Sequence, residues 1–76
     1  MPQDQNFVDV KKLHHSKWTA VTPIERQKHF MVVKVIVPED GSPIRQVVVE
    51  AVLTRQQKTI EWRTLKDRQY WISGWS

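Results

Sequence analysis

Apolar and polar positions alternate along most of the chain with a period of two, the spacing of half-buried strands. Ser16 to Thr22 reads as a strand, with Trp18 and Ala20 alternating with Lys17, Thr19 and Val21. Thr22-Pro23 is expected to end it, because proline cannot donate to a ladder and biases its predecessor toward extended backbone. Ile24 to Gln27 then serves as a connecting loop or a single turn.

Lys28 to Val37 is the strongest strand, dense in Val, Ile and Phe and free of glycine and proline. His29, Met31, Val33, Val35 and Val37 share one face; Phe30, Val32, Lys34 and Ile36 share the other. Both faces are apolar except at Lys34, which predicts a central strand or one in a small barrel. Pro38 to Pro43 follows, and Asp40-Gly41 within it is a strong turn signal. Ile44 to Thr54 is the next strand, with Val47, Val49, Ala51 and Leu53 on one face. A loop of about five residues pairs Val35 with Val47 and Val33 with Val49, so like faces meet. Lys58 to Thr64 is the last clear strand, with Ile60 and Trp62 on one side. A two-residue turn at Gln56-Gln57 sets Leu53 against Ile60, Ala51 against Trp62 and Glu50 against Arg63.

The ends read differently. Residues 1–6 are polar and expected to fray. Phe7, Val10 and Leu13 or His14 fall near helical spacing, with Asn6 as cap and Lys11 and Lys12 in the last turn. Leu65 to Ser76 predicts a short helical turn ended by Gly74, whose aromatic residues cap the open end of the sheet. The summed expectation is one mainly β domain over residues 7–76. It is a four-stranded antiparallel meander, curled or small-barrel-like, with short helical turns near the termini. The expected core is Trp18, Val33, Val35, Val47, Val49, Ala51, Leu53, Ile60 and Trp62.

Length narrows this picture. Seventy-six residues without cysteine allow one small core held by packing, with no disulfide staples and no thiolate metal sites. The longest apolar stretch, Phe30 to Val33, is far short of a membrane span, and residues 1–6 carry no secretion-signal pattern. A cytoplasmic setting is expected.

The net charge of +4 is unevenly placed. Residues 11–38 hold six cations against Glu25 alone, whereas Asp4 and Asp9 make the first ten residues acidic. Such an excess attracts nucleic acid or an acidic partner, although solubility alone also selects it.

Catalytic signals are scarce. The four serines lack a nucleophile-elbow context, and the two glycines, Gly41 and Gly74, make no phosphate loop. His14, His15 and His29 do not form a spaced metal set, and adjacent histidines point apart on either a helix or a strand. Glu50 and Glu61 read as an ion-pair network on the solvent face rather than an acid/base dyad. A barrel this small is expected to hold little pocket volume. The reading is therefore no enzyme, no metal and no cofactor.

The four tryptophans are the outstanding feature. Trp18 and Trp62 read as core, because they lie on apolar strand faces. Trp71 and Trp75 fit a stacking platform or interface anchor better, because a terminal segment is only half covered.

Lys11-Lys12-Leu13, Ser16-Lys17-Trp18-Thr19-Ala20-Val21-Thr22-Pro23, Lys28-His29-Phe30, Glu50-Ala51-Val52-Leu53-Thr54, Trp62-Arg63-Thr64-Leu65-Lys66-Asp67, Trp71 and Gly74-Trp75 together resemble the small tryptophan-rich conserved bacterial proteins. The likeness spans about residues 10–76, and the Ser16 to Pro23 block is its most specific part. It implies a free-standing small bacterial protein with the four tryptophans as hallmarks. It implies no activity, substrate or cofactor, so no functional residue carries over. It also leads one to expect an apolar residue at position 14, where this chain has His14.

Two functional readings follow. The first is a protein-interaction or regulatory module, docking through the aromatic C-terminal segment or a sheet edge. It expects scattered basic residues and an apolar patch near Trp71 and Trp75. The second is a small-barrel nucleic-acid binder, with Lys11, Lys12, Lys17, Lys28 and Lys34 on one face beside an exposed ring. A protein partner is favoured, a membrane is not expected, and the sequence does not decide the oligomeric state.

Overall fold

The computed structural model describes Asn6 and residues 8–75. It shows one open antiparallel sheet of five strands in the order β4-β3-β2-β1-β5. The strands are β1 Lys17–Ile24, β2 Gln27–Ile36, β3 Gln46–Ala51, β4 Gln57–Glu61 and β5 Trp71–Ser73. Two short 3-10 turns, Val10–Lys12 and Trp62–Lys66, complete the regular structure. Among the described residues no helix is long and apolar enough to cross a membrane. The molecule is a slab of 37 × 36 × 16 Å.

The mainly β class and the meander of β1 to β4 match the expectation; the sheet is not closed, and it has a fifth strand. Trp71–Ser73 is that strand, not a helical turn, and it pairs with β1 as Ala20↔Trp71, Thr19↔Ile72 and Trp18↔Ser73. Asp67 makes the return possible. Its carbonyl accepts from the amides of Tyr70 and Trp71, both at 3.0 Å, and its carboxylate accepts from the Gln69 amide.

β1 runs through Pro23 to Ile24 instead of stopping at Thr22. The β1–β2 ladder is irregular between Thr19 and Ile24, and the β5 pairing reaches only to Ala20. Proline therefore occupies a stretch where no regular ladder bond is lost. The β1–β2 turn is Glu25-Arg26, both at positive φ (50° and 69°), between the paired Ile24 and Gln27. This is the primed geometry that suits the strand twist, built without glycine.

The β2–β3 ladder shifts by one residue. Phe30↔Ala51, Met31↔Glu50 and Val32↔Val49 precede a bulge at Val33; Lys34↔Val48, Val35↔Val47 and Ile36↔Gln46 follow it. Val35 thus meets Val47 as the sequence predicts, but Val49 meets Val32, not Val33. The extra residue inverts the alternation, so Phe30 and Val32 share the core face with Val35. That inversion is why both expected faces of β2 looked apolar.

The β3–β4 connection departs further. β3 ends at Ala51, and residues 52–55 form the loop. The Ala51 amide donates to the Gln56 carbonyl at 2.8 Å, and the Arg55 amide donates to the Ala51 carbonyl at 2.9 Å. Arg55 supplies the positive φ (64°) that closes it. Ile60 consequently pairs with Val47, and Glu50 pairs with Gln57 rather than Arg63. Leu53, expected in the core, sits at the loop tip with 84% of its surface exposed. Trp62 does not face Ala51; it opens the second 3-10 turn, its amide donating to the Arg45 carbonyl.

One face of the sheet carries the core. Trp18, Ala20, Phe30, Val32, Val47, Val49, Ala51 and Trp71 are buried there under Leu13 and Leu65. Val8, Val10, Ile24, Val35, Ile60 and Trp62 pack around them, and Val33, on the bulge, is half-buried. Residues 1–5 of the expected frayed tail, and Phe7 of the expected N-terminal helix, lie outside the described residues. Asn6 is tied down: its amide donates to the Lys66 carbonyl, and its side-chain amide donates to the carbonyls of Leu65 and Trp71 at 2.8 and 2.7 Å. The N-terminal helical piece is a single 3-10 turn capped by the Asp9 carboxylate, which accepts from the Lys11 amide.

Candidate interaction surface

The alternation that buries one face of the sheet turns a second set of residues to the other. Across adjacent strands the register lines up Lys17, Met31, Glu50 and Gln57. Beside that row run Lys34, Val48 and Thr59, and then Ile36, Gln46 and Glu61. On the opposite side of it, Thr19 pairs with His29 and with Ile72. Met31, Val48 and Ile36 are only half-buried, and Val21 and Ile72 are exposed.

Trp75 folds back onto this outer face. Its Nε1 donates to the Phe30 carbonyl at 2.9 Å, and the Lys17 ammonium lies 4.8 Å from its ring centroid. The His29 ring is 6.2 Å away. Gly74 provides the bend with φ +85°, and its carbonyl accepts from the buried Thr19 hydroxyl. Trp75 remains 40% exposed, a large ring fixed in place but half open to solvent. A cavity of about 140 Å³ borders it, lined by Met31, Glu50, Val52, Arg55 and Trp75. Glu50 forms its acidic wall and is held by Gln57 (2.9 Å) and Arg55 (3.4 Å).

The predicted site residues divide. Lys17 sits at Trp75, and Lys34 stands on the same face beside Val48. Lys28 is in phase with Phe30 and the opposite face, one residue past the start of β2, and Lys11 and Lys12 lie on the first 3-10 turn. The five lysines therefore do not gather beside one ring. Trp71 is not a platform: it is 3% exposed and stands edge-on to Phe30, with centroids 5.5 Å apart at 86°. Met31, Val48, Ile36 and Ile72 were not expected at a surface site. Their signal was the apolar character of both faces of β2 and β3, which reads equally as a doubly covered sheet.

Other clusters carry less. Trp62 donates from Nε1 to the Ile44 carbonyl, with Arg63 and Lys66 6.0 and 5.8 Å from its ring. An open cleft of about 690 Å³, larger than expected for so small a chain, lies between the β2–β3 loop and β4. Its Asp40 accepts from the Ser42 hydroxyl and amide, which hold the carboxyl below its ordinary range. Asp40 is thereby kept ionised, the reverse of what a general acid needs. His14 and His15 do not diverge: their rings stack at 3.7 Å, because His15 takes a positive φ of 69°. Among the described residues no group of three or more potential ligands could hold a metal ion.

No curated protein and no solved structure matches the chain. One family model does, described as Tryptophan-rich protein (DUF2389), and it covers residues 16–76. That span holds all four tryptophans and every strand of the sheet. The chain belongs to this tryptophan-rich family.

Proposed function

We propose that this chain is a non-enzymatic protein-interaction module of the bacterial cytoplasm, docking its partner on the outer face of the sheet with Trp75 as anchor. The observation that carries the reading is the fixed, half-exposed indole of Trp75, which borders a shallow cavity together with Met31. A large ring held rigid beside a shallow cavity loses little entropy on binding, which is how interface anchors gain their affinity. The test is a photo-cross-linking amino acid at Ile72, with exposed Lys12 on the first 3-10 turn as control. Cross-links to protein from Ile72 and not from Lys12 are expected. Equal yields at both positions would refute the reading.

A nucleic-acid partner has one observation in its favour, the Lys17 ammonium over the ring of half-exposed Trp75. Titration with mixed-sequence single-stranded DNA separates the two. Quenching of tryptophan emission that falls steeply with salt supports nucleic acid. An unchanged signal at low salt removes it.

A further inference from the structure

Cations and a ring also meet where β4, the edge strand opposite β5, passes into the second 3-10 turn. Gln46↔Glu61 is the last pair of the β3–β4 ladder, so Arg45 and Trp62 come next, side by side. Two consecutive carbonyls hold this tryptophan. That of Arg45 accepts from the Trp62 amide at 3.0 Å, and that of Ile44 accepts from its indole Nε1 at 2.8 Å. The ring is half-buried and packs against the core. On a 3-10 turn, residues three apart eclipse and project to the same side. Arg63 and Lys66 are such a pair, and both reach the Trp62 ring, at 6.0 and 5.8 Å from its centroid.

An open cleft of about 340 Å³ lies beside this ring, lined by Pro43, Ile44, Arg45, Glu61, Trp62 and Arg63. Arg45, Arg63 and Lys66 thus gather around one ring, against Glu61 on the outer-face side of the cleft. Among the described residues none of the three cations is ion-paired. The Asp67 carboxylate, next to Lys66 in the chain, accepts from the Gln69 amide.

We propose that this cleft binds a small organic phosphate, with its phosphate group on Arg45 and Arg63 and its carbon skeleton on Pro43, Ile44 and Trp62. Charge argues for phosphate. Unpaired guanidinium groups favour bidentate contact with it, and a phosphate monoester carries about −1.5 to −2 at pH 7, enough to answer the excess of cations over Glu61. A cation resting at an indole has lost part of its freedom before the ligand arrives, which lowers the ordering cost of binding. Size argues for a small molecule, since the cleft falls at the low end of the ~300–1,000 Å³ of ligand pockets. The apolar wall argues for an ester, because bare inorganic phosphate covers none of it.

The test is fluorine NMR of the chain labelled with 5-fluorotryptophan, titrated with adenosine monophosphate and, separately, with inorganic phosphate at constant ionic strength. The Trp62 resonance is expected to move with both while that of Trp75 stays fixed. The nucleotide is expected to bind about 10-fold or more tightly than phosphate. Arg45→Gln and Arg63→Gln, both at exposed positions, are each expected to weaken nucleotide binding about 10-fold or more. Lys12→Gln removes the same charge on the first 3-10 turn and is expected to change it less than about 2-fold. The remaining tryptophan resonances report that each variant is folded. No movement of Trp62 up to ~10 mM nucleotide, equal affinity for the two ligands, or an equal loss in Lys12→Gln overturns the proposal. Movement of Trp75 in place of Trp62 puts the phosphate at Lys17 and overturns it as well.

Discussion

Deleting Val33 tests the account of how one apolar run serves two faces. In an uninterrupted strand a one-residue deletion turns every later side chain to the opposite face. Here Val33 is the unpaired residue between Val32↔Val49 and Lys34↔Val48. Its removal leaves Val35 opposite Val47 and Lys34 opposite Val48, with every face preserved. The losses are a half-buried valine and the Val33 carbonyl that lies 3.2 Å from His14 Nε2. Half of a valine's burial and one exposed hydrogen bond cost about 1–2 kcal/mol. For a domain of this size that is roughly 5–15 °C in Tm. The control is deletion of Val48 in β3, which pairs regularly with β4. Val47 and Val49, both fully buried, would then point to opposite faces. Turning one out and a polar neighbour in costs about 4 kcal/mol or more, much of the stability of a chain this short. Thermal melts by far-ultraviolet circular dichroism read the difference. A Val33 deletion as unfolded as the Val48 deletion would refute the bulge as the source of the inversion.

Further tests probe the turns and the core. Replacing Glu25-Arg26 by Asn-Gly relieves two left-handed residues and is expected to stabilise by about 1–2 kcal/mol in urea denaturation; no gain contradicts the primed turn. Trp71→Ala is expected to cost roughly 3–5 kcal/mol and Leu53→Ala under ~0.5, since one ring is buried against Phe30 and the other side chain is solvent-exposed. Comparable losses at both sites contradict the hairpin register. Asn6→Ala leaves the carbonyls of Leu65 and Trp71 without their donor and is expected to cost about 1–3 kcal/mol, measured the same way.

The legible parts of the fold are those that local pattern decides. The β2–β3 hairpin is bounded by Pro38 and Pro43 around Asp40-Gly41, and Val35 meets Val47 as the alternation requires. The β3–β4 register was not legible, because Gln56-Gln57 mimics a short turn while the chain turns four residues at Val52 to Arg55. No glycine marks that loop, and Arg55 takes the left-handed position instead. β5 is three residues long and its partner is more than 50 residues earlier, so neither length nor local pattern announces it. The same reason misplaced Trp71, whereas Trp75 is exposed as expected. Once Trp71 enters the ladder opposite Ala20 it must point into the core, and Trp75, past the Gly74 bend, is left to the outer face. For the site, Lys17 and Trp75 were legible from charge and aromatic composition. Met31, Val48 and Ile36 were not, because an apolar residue on a strand carries no sign of which face a second layer covers.

The most direct measurement is fluorine NMR of the chain labelled with 5-fluorotryptophan, recorded as unlabelled bacterial lysate is added. The four tryptophans give four resonances, assigned by single Trp→Phe substitutions. The proposed docking face predicts that the Trp75 resonance moves or broadens as lysate is added while buried Trp18 and Trp71 stay fixed. A spectrum that does not change, or one in which Trp62 moves and Trp75 does not, would contradict it.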